Sequence, residues 1–147
     1  MPGSQGTRVH QMALMSLYEA PLQMLCDSPT QYRKNAECFK FISSFPTVWD
    51  ETAGVAGGIN KFAAVARRKG GEWYLGAITG WDGLETELPT SFLGKGEWQV
   101  EAFEDAADAG ENAEHYVRRV YTLKAGEPLK VKLAPGGGFA ARFTPAK

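Results

Sequence analysis

The stretch from Phe45 to Thr52, FPTVWDET, divides this sequence into two parts with different hydrophobic periodicity. Before it, apolar residues recur at helical spacing; after it, they alternate with polar residues as in β-strands. Pro46 cannot lie inside a helix, and it biases Phe45 towards extended backbone. The sequence therefore predicts a helical segment, residues 1–45, followed by an all-β domain, residues 46–147.

The first helix of that segment is predicted to begin after Thr7, a good N-cap residue, and to run to about Ala20, before Pro21. Its apolar residues leave almost no polar face: Val9, Met12, Ala13, Leu14, Met15, Leu17, Tyr18 and Ala20. A helix of this kind is normally buried within a larger structure. We therefore expect its packing partner to be missing, the chain to self-associate through it, and deletion of residues 1–44 to improve solubility.

A second helix is predicted from Pro29 to about Ser43, with Ser28 as its cap. The residues expected on its inward face are Tyr32, Ala36, Phe39 and Ile42 or Phe41. It is an ordinary amphipathic helix.

From Thr47 onwards the pattern predicts seven or eight short strands. Turn signals stand at Lys69-Gly70-Gly71 and at Trp81-Asp82-Gly83. The alternating apolar sets are Phe62, Ala64, Ala66; Trp73, Leu75, Ala77; Trp98, Val100, Ala102; Leu129, Val131, Leu133; and Phe139, Ala141, Phe143. The predicted fold is mainly β, an antiparallel β-sandwich in which each sheet has one solvated face.

Composition excludes several functional classes. The net charge of −1 over 147 residues provides no electrostatic basis for binding nucleic acid or an anionic membrane. The apolar run from Met12 to Tyr18 is too short to span a bilayer and lacks the features of a signal peptide, so no signal peptide is expected in this chain. Cys26 and Cys38 form no metal-binding motif; they are either bridged to each other or two buried thiols.

The junction residues Trp49, Asp50 and Glu51 are the first candidates for a site. Adjacent residues of a strand point to opposite faces, so Asp50 and Glu51 could not easily share a substrate as an acid and base pair. The interpretation favoured by the sequence is a junction held by salt bridges or caps, with Trp49 packed across it. An independent hydrolase centred on these two carboxylates is the alternative.

Three other motifs resemble functional sites without meeting their requirements. The acidic segment from Glu104 to Asn112 departs from calcium-loop spacing, so a surface loop is expected. His10 and His115 stand near no activated nucleophile. Pro135-Gly136-Gly137-Gly138 lacks the Lys-Ser/Thr of a phosphate loop and predicts a flexible turn or bulge before the last strand. No catalytic residue and no metal ligand is assigned.

The tryptophans could provide stacking surfaces for a sugar. The sandwich needs most of these rings in its core, which applies to Trp73 and Trp98. Trp49 and Trp81 remain as candidate contacts with a sugar or with another domain.

Six motifs in a fixed order carry a family resemblance. They are Gly6-Thr7-Arg8-Val9-His10-Gln11, Ala20-Pro21-Leu22-Gln23-Met24-Leu25, Asp27-Ser28-Pro29, Pro46-Thr47-Val48-Trp49-Asp50-Glu51-Thr52, Val65-Ala66-Arg67-Arg68 and Leu133-Ala134-Pro135-Gly136-Gly137-Gly138. Together, from about Gly6 to Phe143, they resemble the C-terminal part of glycoside hydrolase family 97.

The resemblance implies an α-glucosidase or α-galactosidase with an N-terminal β-sandwich, a catalytic (β/α)8 barrel that contains calcium, and a C-terminal all-β domain. It implies that residues 1–45 are the last helices of the barrel, and that the sandwich packs on the barrel and takes part in oligomerisation. It also implies a periplasmic or secreted enzyme. The family's catalytic and calcium-binding residues lie upstream of the part that this sequence matches.

These inferences lead to two hypotheses. In the first, the chain is a non-catalytic C-terminal fragment of such an enzyme, without a cofactor of its own. Its partners are the missing catalytic barrel and further copies of itself. In the second, it is a free-standing β-sandwich that binds carbohydrate or another partner. Two carboxyl groups about 5–10 Å apart are needed for glycoside hydrolysis, and a short helical segment cannot build that site.

Overall fold

The computed structural model describes residues 5–20 and 27–147. Three short helices precede eight strands. The helices are α1 (Arg8–Leu17), α2 (Pro29–Lys34) and α3 (Ala36–Ser43). The strands are β1 (Glu51–Gly58), β2 (Phe62–Lys69), β3 (Glu72–Thr79), β4 (Leu84–Leu88), β5 (Glu97–Asp105), β6 (Tyr116–Lys124), β7 (Leu129–Leu133) and β8 (Gly138–Pro145).

The strands form two antiparallel sheets of unequal size. The larger sheet has six strands in the order β1-β2-β3-β8-β5-β6, and the smaller one pairs β4 with β7. Strand β8 lies between β3 and β5, so it joins the first three strands to β5 and β6. The prediction of a mainly β, antiparallel sandwich is confirmed.

The hydrophobic core lies between the two sheets. Every inward set predicted from the alternation contributes to it, including Trp73, Trp98 and Phe143. Leu129, Val131 and Leu133 face inward from β7, while Lys130 and Lys132 lie opposite Glu87 and Glu85 of β4 on the outer face. The pattern of period two therefore located β2, β3, β5, β7 and β8 together with their buried faces.

Helix α1 covers the opposite face of the large sheet, along β3 and β8. Its buried residues are Val9, Met12, Ala13 and Ser16. The expectation that this helix lacks a partner within the chain is therefore wrong. The expectation of a solvated face on each sheet is wrong for the large sheet, because α1 covers the face that the small sheet leaves free. Thr7 caps the helix as predicted, accepting a hydrogen bond from the backbone N–H of His10 at 3.1 Å, but the helix ends at Leu17 rather than at Ala20.

Two glycines allow this close packing. A Cβ atom at Gly76 of β3 would lie 2.3 Å from the carbonyl oxygen of Ala13, and one at Gly138 of β8 would lie 2.5 Å from the Cα of His10. Helix and sheet therefore meet backbone to backbone. Neither distance leaves room for a methyl group.

Arg67 of β2 holds the C-terminal end of α1. Its Nε donates to the carbonyl oxygen of Ser16 at 2.6 Å, and its Nη2 donates to that of Leu17 at 3.3 Å. Its Nη1 also donates to the Oγ1 of Thr52 at 2.8 Å. A cation suits the negative end of the helix dipole, and the buried guanidinium satisfies carbonyl groups that have no partner within the helix.

The predicted second helix is interrupted at Asn35, whose backbone leaves the helical region with φ −114° and ψ 44°. The Nδ2 of Asn35 donates to the carbonyl oxygen of Gln31 at 3.0 Å. Because α3 restarts after this break, its buried residues are Cys38 and Phe41. The prediction that Phe39 faces inward is wrong: its ring is exposed and contacts that of Tyr32.

Cys38 is a free, buried thiol. The predicted continuation through Pro21, Leu22, Met24, Leu25 and Cys26 lies outside the described residues, as does most of the leader before Gly6.

Removal of residues 1–44 should destabilise the domain, contrary to the expectation from the sequence. It would expose the sheet face under α1, including Phe103 and Ala140, which are fully buried. We expect a lower thermal midpoint by circular dichroism and increased binding of a hydrophobic dye, both relative to the intact chain. An unchanged midpoint would contradict the role given to α1.

Gly76→Ala should cost about 1–3 kcal/mol of unfolding free energy, because the methyl group would force α1 away from β3. Gly54→Ala in β1 is the matched control, since a Cβ there meets no atom within 4 Å, and its effect should stay within about 0.5 kcal/mol. Urea unfolding followed by fluorescence measures both. Equal stability of the two variants would argue against the close contact.

Candidate interaction surface

Both carboxylates of the junction are engaged at the turn between β2 and β3. The Oδ2 of Asp50 accepts from the backbone N–H of Gly70 at 2.8 Å, and its Oδ1 accepts from the Nζ of Lys69 at 3.2 Å. These hydrogen bonds hold the pKa of Asp50 below its usual value. Glu51 pairs with the Nε of Arg68 at 3.0 Å. Asp50 and Glu51 therefore serve the same hairpin, and each has its own basic partner.

Trp49 belongs to an aromatic cluster between the helices and the sheet. Its ring meets those of Phe45 and Tyr74 edge-on, with centroids 6.1 and 5.3 Å apart. The hydroxyl of Tyr74 has two acceptors within hydrogen-bond distance, the carbonyl oxygen of Ser44 and the Glu72 carboxylate, and burial raises the pKa of Tyr74 to about 12. Trp49 thus links the junction to the sheet, and a contact of this residue with a sugar or another domain stays a prediction.

Trp81 is 66% exposed, in the turn between β3 and β4. Its ring lies against Gly136, where a Cβ atom would come within 2.7 Å of the indole Cζ3. Gly136 has φ +64°, which favours glycine for a second reason. The contact of Trp81 with a sugar or another domain also stays a prediction. It rests on the exposure of the indole ring.

The turn predicted before β8 is present, and it is firmly packed rather than loose. The Oδ2 of Asp105 accepts from the backbone N–H groups of Ala134 and Gly138 at 3.0 and 2.9 Å. The carbonyl oxygen of Gly137 accepts from the Nδ1 of His10 at 3.2 Å. Asp105, which the sequence assigned to a surface loop, therefore ends β5 and fixes the turn on which α1 begins.

In the rest of the acidic segment, Ala109 is buried and Glu104 and Ala106 are half-buried, while the remaining residues are exposed and form local pairs. The Oδ2 of Asp108 lies 2.7 Å from the Nδ1 of His115, and this hydrogen bond lowers the pKa of Asp108. Within residues 5–20 and 27–147, no three His, Cys, Asp or Glu side chains gather as metal ligands would.

Strand β6 is the outer strand at one end of the large sheet. Arg118 pairs with Glu101 at 2.9 Å, and Arg119 pairs with Glu104 at 3.1 Å. Burial raises the pKa of Glu104. No role was predicted for β6, although the Tyr, Val and Thr residues from Tyr116 to Lys124 indicate a strand.

A recess of about 590 Å³ lies beside β6, towards β7. Residues of β5, β6 and β7 and the turn before β7 line it: Glu104, Arg119, Val120, Tyr121, Leu123, Pro128, Leu129 and Lys130. Val117 and Val120 are exposed on the same strand, at 38% and 49%. The edge of β6 therefore combines apolar side chains with neutralised charges.

No helix in the described part of the chain is both long and apolar enough to cross a membrane.

Comparison with known proteins gives a family match over most of the β-domain. The family model described as "Glycosyl-hydrolase 97 C-terminal, oligomerisation" matches residues 48–144. A retaining α-galactosidase of Bacteroides thetaiotaomicron is 42% identical over 142 residues, which are 97% of this chain and 22% of that protein. A probable retaining α-galactosidase of Streptomyces bingchenggensis is 31% identical over 131 residues, 89% of this chain and 20% of that protein.

Solved structures show the same relationship. A glycoside hydrolase family 97 enzyme from Pseudoalteromonas sp. strain K8, in complex with acarbose, superposes with a TM-score of 0.90 at 31% identity, covering 97% of this chain and 23% of that enzyme. A β-arabinopyranosidase superposes with a TM-score of 0.75 at 28% identity, covering 93% and 21%. The chain thus spans about a fifth of the length of these proteins. It belongs to the C-terminal, oligomerisation domain family of glycoside hydrolase family 97.

Proposed function

We propose that this chain is the non-catalytic C-terminal module of a retaining α-galactosidase, in which it packs on the catalytic barrel and holds copies of the enzyme together. The observation that carries the proposal is the family match over residues 48–144 together with 42% identity to the enzyme from Bacteroides thetaiotaomicron. The two relatives from Bacteroides thetaiotaomicron and Streptomyces bingchenggensis bear the name α-galactosidase, which favours α-galactosides over α-glucosides.

The helical segment supplies the surface for the barrel. Tyr18, Phe39 and Val48 are exposed on or beside it, at 46%, 37% and 63%. Leu14 and Met15 of α1 are only partly covered, although the opposite side of the helix is buried against the sheet. Apolar groups of this kind favour packing against another domain. Residues 1–45 therefore act as the connection between barrel and sandwich.

The catalytic residues belong to the barrel in this proposal. Hydrolysis of a glycoside needs a pair of carboxyl groups, one on each side of the scissile bond. At the junction, Asp50 and Glu51 are instead held by Lys69 and Arg68. The resemblance to family 97 enzymes supports the periplasm or the exterior of the cell as the place of action.

A chimera tests this function. The matched 22% of the Bacteroides thetaiotaomicron enzyme is replaced by this chain, and hydrolysis of a nitrophenyl α-galactoside is measured. We expect the chimera to keep activity that a truncated enzyme without this part loses, because the module supports the barrel. A soluble chimera as inactive as the truncated enzyme would contradict the proposal.

The exposed ring of Trp81 favours contact with a sugar as a second function. In that case galactosides should shift the tryptophan fluorescence of the intact chain, and Trp81→Phe should remove most of the shift. Trp49→Phe is the control, because Trp49 is packed against Phe45 and Tyr74 and its replacement should leave the shift in place. The absence of any shift in the intact chain would exclude this function.

A further inference from the structure

The backbone of β6 has one row of hydrogen-bonding groups directed away from the sheet. At one end of the β5–β6 ladder, the N–H of Ala106 donates to the backbone carbonyl oxygen of His115. At the other end, the N–H of Ala125 donates to the carbonyl oxygen of Gly96. Bonded positions alternate along an antiparallel ladder. The residues whose N–H and C=O groups point outwards are therefore Tyr116, Arg118, Val120, Thr122 and Lys124.

The last of these positions is already occupied. The N–H of Lys124 donates to the Glu127 carboxylate at 3.1 Å, and its carbonyl oxygen accepts from the N–H of Glu127 at 3.0 Å. Glu127 thus ends the open edge. Within the described part of the chain, the outward groups from Arg118 to Thr122 meet no partner.

The charges on β6 do not block this edge. Edge strands commonly avoid pairing by projecting Lys or Arg side chains outwards. Here Glu101 and Glu104 of β5 draw Arg118 and Arg119 back over the sheet. Arg118 also lies 3.8 Å from Glu37 of α3. The edge is left with neutralised charges and with the exposed side chains of Val117 and Val120.

We propose that β6 pairs antiparallel with β6 of a second copy of this chain, about a two-fold axis at Val120. The proposal rests on the oligomerising function and names its surface. Val120 then faces Val120 of the other copy, Arg118 faces Thr122, and Arg119 faces Tyr121. This register joins the open groups of three residues on each copy by about six hydrogen bonds.

Like charges disfavour the neighbouring symmetric registers, although each arginine has a carboxylate partner on its own copy. An axis at Arg118 or at Arg119 would set two guanidinium groups directly opposite each other. An axis at Tyr121 would place Arg118 opposite Lys124. The backbone groups of Lys124 are also already bound by Glu127. The register at Val120 opposes no two charged residues.

The recess beside β6 fits the same register. Leu123 lines the recess and faces the core between the sheets. In the proposed pairing, Val117 of the other copy lies opposite Leu123 on that face. An exposed valine of one copy therefore enters the recess of the other, twice per dimer.

The edge at the other end of the sheet is less suited to regular pairing. Strand β1 contains a bulge between Gly54 and Ala56, which interrupts its register with β2. Bulges twist a strand edge and terminate pairing. Strand β6 pairs with β5 without a shift over its whole length.

Two charge variants of the intact chain test the pairing. Val120→Glu and Val120→Lys each place like charges opposite each other at the axis, so each should weaken dimerisation by about tenfold or more in sedimentation equilibrium. An equimolar mixture should restore the dimer, because opposite charges then face each other. Recovery on mixing also shows that the variants are folded.

Crosslinking fixes the register. Paired Cα atoms at a hydrogen-bonded position are about 5.5 Å apart, within disulfide range, so Val120→Cys should form a dimer on oxidation. Arg118→Cys is the matched control on the same face, since its own copy in the partner lies roughly 13 Å away along the strand. Equal crosslinking of the two variants would overturn the register.

The remaining outcomes separate the pairing from the function on which it rests. If both charge variants dimerise as tightly as the intact chain, the pairing through β6 is wrong and the oligomerising function stands on another surface. If the intact chain sediments as a monomer at all concentrations, both are wrong.

Discussion

The direct contact of α1 with the large sheet is the constraint on which the rest of the structure depends. It requires Gly76 and Gly138 to lack side chains, Arg67 to satisfy the end of the helix, and Asp105 to hold the turn against which the helix begins. These requirements come from four strands, β2, β3, β5 and β8. A helix of only ten residues is thereby fixed by groups distributed along most of the chain.

This arrangement determines which surfaces are left for partners. The small sheet covers one face of the large sheet and α1 covers the other, so the open positions are the outer side of the helices, the outer face of the small sheet and the two edges of the large sheet. The helices carry exposed apolar side chains. Strand β6 carries, from Arg118 to Thr122 and beside a recess, outward backbone groups that have no partner among the described residues. A module placed between a barrel and a second copy of the enzyme would need two such surfaces in different directions.

The sequence predicted the sandwich well because period-two alternation depends on local geometry that every strand repeats. The helix cap at Thr7 and the turn at Gly70 could be predicted for the same reason, since caps and turns depend on residues that are neighbours in the chain. The packing partner of α1 could not be predicted from the sequence. Gly76 and Gly138 are distant from α1 in the chain and contact it only in the folded sheet. The roles of Asp105 and β6 depend likewise on which strands become neighbours.

The position of β8 has a consequence for the order of assembly. It follows the seven other strands in the sequence, yet it lies in the middle of the large sheet. Strands β1 to β3 and the pair β5–β6 share no ladder until residues 138–145 have been synthesised, so the domain cannot form strand by strand as the chain emerges from the ribosome. Its folding depends on contacts between residues distant in sequence. Until β8 is available, β3 and β5 each have an unpaired edge on the side where β8 will lie.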